Sequence, residues 1–130
     1  MEIHAHLNKP YVKLDKENCI ITFKGKSYPE HPSNFYDPIV EELNKCSEHM
    51  EGEIITINLA LEIMNSVSTK YIYNIINSIH KSSRELNINW YYEEDDEDMK
   101  EEGYLFQNAF KKANFKLHSV EDLYNIIKDF

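Results

Sequence analysis

Glycine, arginine and cysteine are scarce in this chain, and each scarcity removes a class of function. Three glycines among 130 residues leave little room for the glycine-rich loops that cradle phosphates. Arg84 is the one arginine among fourteen basic residues, and the formal net charge is −9. A net negative chain with almost no guanidinium groups is not built to hold nucleic acid. Cys19 and Cys46 have no metal-type spacing, which suits free thiols and a cytoplasmic setting. The opening Met1-Glu2-Ile3-His4 lacks the basic region and apolar core of a signal peptide. No apolar run approaches membrane-spanning length, so membrane insertion is not expected. The histidines are scattered, with no Ser-His-Asp or Cys-His arrangement, so no catalytic residue, resident metal or cofactor is assigned.

What the chain does have is one concentrated block of charge. Trp90-Tyr91-Tyr92-Glu93-Glu94-Asp95-Asp96-Glu97-Asp98-Met99 runs from aromatic residues straight into six consecutive carboxylates, and Glu101 and Glu102 follow. Residues Glu93 to Glu102 carry eight acids and one lysine, a charge of −7, so the rest of the chain is nearly neutral. Such a block acts through its position. Three roles are open to it: a solvated helix start, a docking surface for a basic partner, or a divalent cation site. The run lacks the loop glycine and alternating pattern of a calcium hand.

The length suits a single domain over residues 1–130. Residues 1–10 read as a flexible N-terminus. Tyr11–Leu14 and Cys19–Phe23 read as two strands of a hairpin, with Gly25–Pro32 as a loop after them. A helix is expected from about Asn34, with Ile39, Leu43, Cys46 and Met50 at helical spacing. Ile55, Ile57, Leu59, Leu61 and Ile63 alternate with more polar positions and predict a strand with one covered face. Asn65 and Ser66 end it. A helix follows with Val67, Tyr71, Ile72, Ile75, Ile76 and Ile79 on its apolar stripe. Leu86, Ile88, Trp90 and Tyr92 mark another strand, and a third helix begins within the acidic run. Phe115–Leu117 suggests a short strand, and residues 119–129 an extra C-terminal helix. Strands separated by helices predict a parallel centre, and the first hairpin adds an antiparallel edge. The expected class is α/β: a mixed sheet with helices mainly on one face. Ile57, Leu59, Val67, Ile72, Ile75, Ile76, Ile88 and Trp90 are the expected core.

Four blocks of this sequence carry a resemblance. Gly25-Lys26-Ser27-Tyr28-Pro29-Glu30 resembles a G-x-S-Y-P-E segment, and Phe35-Tyr36-Asp37-Pro38-Ile39 an F-Y-x-P-aliphatic helix start. Asn65-Ser66-Val67-Ser68-Thr69-Lys70 resembles an N-T-S-S-x-K turn, and Trp90 to Met99 a W-Y-Y-E-E-D-D-E-D-M signature. In this order, over residues 9–118, they are similar to the SiaC family of bacterial regulatory phosphoproteins. The resemblance implies a STAS-like fold, similar to that of anti-sigma-factor antagonists. It implies switching by phosphorylation of a hydroxyl that opens a helix. A serine/threonine kinase would add the phosphate, a metal-dependent phosphatase would remove it, and a diguanylate cyclase would be the partner in the best-known branch. Alignment on Asn65 and Lys70 places the phosphoacceptor at Ser66. The turn departs from the pattern at Ser66 and Val67, so Ser68 and Thr69 stay open.

The residues themselves accommodate that chemistry. Asn65 or Ser66 is expected to cap the helix, and a phosphate there would meet the positive end of its dipole. Asn65, Lys70, Tyr28, Tyr91, Glu93, Glu94, Asp95 and Asp96 are the candidate partner-binding residues. The expected function is a non-catalytic switch acting through protein–protein contact. The alternative is a small-molecule or nucleotide-sensing STAS-like domain.

Overall fold

The computed structural model describes residues 1–47, 54–82 and 85–128. Met50 and Arg84 lie outside the described residues. The elements run β1 (Glu2–Ile3), β2 (Tyr11–Asp15), β3 (Ile20–Ser27), α1 (Pro32–Ser47), β4 (Ile55–Met64) and α2 (Ser66–His80). They continue as β5 (Leu86–Glu93), α3 (Glu97–Ala109), β6 (Asn114–Val120) and α4 (Leu123–Ile127). The strands form one six-stranded sheet in sequence order. β1–β2 and β2–β3 pair antiparallel, and every junction from β3 to β6 is parallel. This is the mixed α/β sheet that the alternation of strands and helices predicts.

The two faces differ as the side-chain period of two requires. Ile55, Ile57, Leu59 and Leu61 of β4 and Leu86, Ile88, Trp90 and Tyr92 of β5 are buried, in one cluster with the apolar sides of α1, α2 and α3. Trp90 satisfies its indole N–H on the Met99 carbonyl of α3 at 3.1 Å, so its burial leaves no orphaned donor. The opposite face is polar. Asn89 Nδ2 donates to Asn58 Oδ1 at 3.0 Å, and His118 Nε2 lies 2.9 Å from Asn89 Oδ1. Among the described residues the short α4 is the one helix on this side, where Lys24 Nζ donates to the Ile127 carbonyl at 2.8 Å.

Five expectations are corrected. Val67 is exposed at 42 %, and the inward stripe of α2 is Ser68, Ile72, Ile75 and Ile76. A valine in the first turn faces outward once Asn65 fixes where the helix starts. Ile63 is also exposed, at 45 %. The register with β3 shifts between Gly25 and Lys26, so Leu61 and Ile63 face successive residues of β3. This bulge breaks the alternation. Gly25 to Ser27 belong to β3 and not to a loop; Gly25 sits at φ +103, open to glycine. The start of the N-terminal stretch is ordered, because Glu2–Ile3 pairs with β2. Finally, residues up to Val120 are strand, since β6 pairs with β5 through Glu93↔Val120; the helix that follows is confined to Leu123–Ile127.

Candidate functional site

Asn65 opens α2. Its side-chain oxygen accepts from the Ser68 N–H at 2.9 Å, and its extended backbone (φ −77, ψ 171) is that of an N-cap. Ser66 is therefore the first helical residue. Its side chain is exposed, and its own amide is among those that a helix start leaves unpaired. No acid lies in the first turn of α2, and Lys70 is exposed one turn on. An anion on Ser66 would thus meet a positive helix end and no carboxylate of that turn.

The neighbouring hydroxyls differ from Ser66. Thr69 is half-buried and donates to the Asn65 carbonyl at 2.9 Å. Ser68 is fully buried. Ser27 Oγ bonds to Ser68 Oγ at 2.7 Å and lies 2.6 Å from the Tyr36 hydroxyl. Burial pushes the Tyr36 phenol up from its ordinary value, while its hydrogen bonds to Ser27 and Ser68 act the other way. The Tyr36 ring stacks on Tyr71, centroids 4.9 Å apart. Three buried hydroxyls, one each from β3, α1 and α2, therefore pin the start of α2 to the sheet. Each satisfies the others, which avoids the cost of about 1–3 kcal/mol for an orphaned buried group.

The parallel pairing brings separate segments to one edge. β3, β4 and β5 all end there, at Ser27, Met64 and Glu93. Tyr28 follows Ser27 and is 42 % exposed. With Ile63 and Val67 it gives the surroundings of Ser66 three exposed apolar side chains. The acidic run follows β5. Glu93 is half-buried at the strand end, and Glu94 and Asp95 are exposed in a turn closed by the Asp96 N–H on the Glu93 carbonyl at 2.9 Å. Asp96 caps α3, accepting from the Met99 N–H at 3.1 Å. Glu97 and Asp98 lie in the first turn of α3, where the helix dipole favours acids. Tyr91 is not at this edge: it lies half-buried on the polar face, stacked on His118 at 4.5 Å. Among the described residues no His, Cys, Asp and Glu cluster is arranged to hold a metal ion. No helix of the described residues is long and apolar enough to cross a membrane.

The sequence profile described as SiaC family regulatory phosphoprotein matches residues 3–120. The chain belongs to the SiaC family. Solved structures agree on its fold. A chain of the complex of the diguanylate cyclase SiaD with its activator SiaC from Pseudomonas aeruginosa is 18% identical, with a TM-score of 0.78 over 92% of this chain and 97% of that one. Apo-SiaC from the same organism is also 18% identical, with a TM-score of 0.74 over 92% and 96%. No curated protein matches the chain.

Three of the four SiaC-type sequence blocks meet in space. The first three supply Ser27, Tyr36 and Ser68 to the buried hydroxyl cluster, and the fourth supplies the acidic run on the same sheet edge. Sequence reasoning missed Ser27 and Tyr36 as supports of the site. The available signal was that each of these three blocks carries at least one hydroxyl beside an apolar or aromatic position. The exposed Ile63 and Val67 were also missed, because both were read as core.

Proposed function

We propose that this SiaC-family protein is a non-catalytic bacterial signalling switch, and that reversible phosphorylation of Ser66 governs docking of a partner protein at the sheet edge beside it. A serine/threonine kinase adds the phosphate and a metal-dependent phosphatase removes it. The partner is a diguanylate cyclase; the complex of SiaD with its activator SiaC supports this choice.

One observation carries the reading. Ser66 is exposed among the apolar side chains of Tyr28, Ile63 and Val67, whereas Ser68 is buried in the hydroxyl cluster. A partner seated on those apolar groups would desolvate Ser66. Phosphorylation adds about −1.5 to −2 charges at that point, and an unpaired charge in a desolvated contact is strongly unfavourable. The fold is spared, because the helix start accepts an anion. Asn65, Lys70, Tyr28 and the run Glu93, Glu94, Asp95 and Asp96 complete the docking edge, and Tyr91, on the polar face, drops out of it.

The test is binding of the diguanylate cyclase of the same organism to four forms of the chain: wild type, Ser66→Ala, Ser66→Asp and the kinase-treated protein. Wild type and Ser66→Ala should bind alike. The phosphorylated form should lose at least about tenfold in affinity, equivalent to about 1.4 kcal/mol, and Ser66→Asp should lose less. Equal affinity of the phosphorylated and unmodified forms would remove the switch.

A further inference from the structure

The helices α1 and α2 touch through the Tyr36–Tyr71 stack near their starts. Beyond it a gap opens between them. Asn74 and Ser78 of α2, one turn apart, face the gap with short polar side chains, and Asp37 stands across from them on α1. The gap is a partly enclosed groove of about 350 Å³. Its floor is apolar and belongs to the core: Ile21, Ile55 and Ile75 are buried beneath it, and Ile79 and the Tyr71 ring form its walls. A groove of this size, with an apolar floor and a few polar groups at the rim, has the form of a small-molecule site.

The rim decides the class of ligand. Asp37 carries the one ionised side chain among the described residues that line the groove. Asn74 and Ser78 offer hydrogen bonds but no charge. A carboxylate beside an apolar floor favours a cation with an apolar body and repels an acid. We propose that the groove between α1 and α2 binds a small organic amine, with its aromatic or branched aliphatic body on Ile55 and Ile75 and its ammonium group at Asp37.

The rim of the groove at Asp37 and Tyr71 adjoins the Tyr36–Tyr71 stack, while its apolar floor lies farther along α2 from Ser66. Ile75 and Ile79 lie nine and thirteen residues along α2 from Ser66, about 14–20 Å of helix. The proposal goes beyond the phosphorylation reading and needs neither kinase nor partner to test.

Methyl and amide NMR of the full chain, titrated with 2-phenylethylamine, 2-phenylethanol and phenylacetate, separates the possibilities. These probes share one apolar body and differ in the charge of the head. The amine should give saturable shifts confined to residues of the groove. The acid should bind at least about tenfold more weakly, the scale of one well-placed charge near a protein surface. Ser78→Trp and Asn74→Trp, both at exposed positions, should each fill the groove and abolish the shifts while leaving the melting temperature nearly unchanged. Asp37→Asn should erase most of the preference for amine over acid. Saturable shifts elsewhere on the surface, binding that survives both tryptophan variants, or no saturation by any probe would overturn the site. Equal binding of amine and acid to the wild type would overturn the ligand class.

Discussion

Asn65 and Ser66 divide two tasks that one residue type could have performed. The asparagine caps the helix, accepting the Ser68 amide at 2.9 Å, and the serine beside it is exposed and carries no such bond. Asn65→Ala should therefore cost about 1 kcal/mol of stability, within the range of about 0.5–2 known for N-caps. Ser66→Ala should stay within about 0.5 kcal/mol, as exposed substitutions do. Denaturant unfolding of the two variants measures both, and a larger loss for Ser66→Ala would mean that the cap is misassigned. The pattern Asn-Ser at a strand end announced a cap in the sequence but left the two residues equivalent, because both side chains can accept the bond. A second residue-scale test concerns His118. Burial and the charge of Lys116 hold its imidazole below the ordinary value. The neutral ring is thus favoured in the fold. Its contribution is complete above the unfolded value of about 6.5 and declines as the pH falls toward the lower folded value. An NMR titration should place the His118 midpoint below the ordinary value of about 6.5.

At the scale of elements, the pairing of α3 with β5 rests on the absence of a side chain. A Cβ at Gly103 would lie 2.8 Å from Cδ1 and Nε1 of Trp90 and 2.9 Å from Cδ2 of Leu117. Alanine gains up to about 1 kcal/mol of helix propensity over glycine, but overpacking costs about 1–3 kcal/mol. Gly103→Ala should therefore destabilise, and a rise in melting temperature would contradict the close approach. Ile76 is fully buried on the inner stripe of α2, and Ile76→Ala should cost about 2–5 kcal/mol. These core positions were legible in the sequence: the periods of 3.6 and 2 place Ile72, Ile75, Ile76, Ile88 and Trp90 without help. Val67 and Ile63 were not, because periodicity does not register a bulge or the residue at which a helix begins. The bulge is set by pairing with β3, where Lys26 faces Ile63 from far back in the sequence, so no local window contains it. The extension of β6 to Val120 was hidden for the same reason, since its partner Glu93 lies in the acidic run.

The whole molecule is a sheet that delivers three strand ends, and with them three of four sequence blocks, to one edge. The acidic run was plain in the sequence, but its place at the same end of the sheet as Ser66 was not, because that follows from the parallel pairing of β4 and β5. Under the docking proposal, the run takes part through its charge. Replacing Glu93, Glu94, Asp95 and Asp96 by Gln or Asn should weaken partner binding and flatten its dependence on salt. The loss of stability should be small apart from the α3 cap at Asp96. An unchanged salt slope would reduce the run to a solvated helix start. The proposed switch stands or falls with phosphorylation of Ser66. Mass spectrometry of the chain after incubation with its cognate kinase and ATP decides this. The structure-based account predicts phosphate on Ser66, exposed at the helix start, and none on Ser68, closed within the hydroxyl cluster. Phosphate on Ser68 or Thr69 alone, or on none of the three with an active kinase, would contradict it.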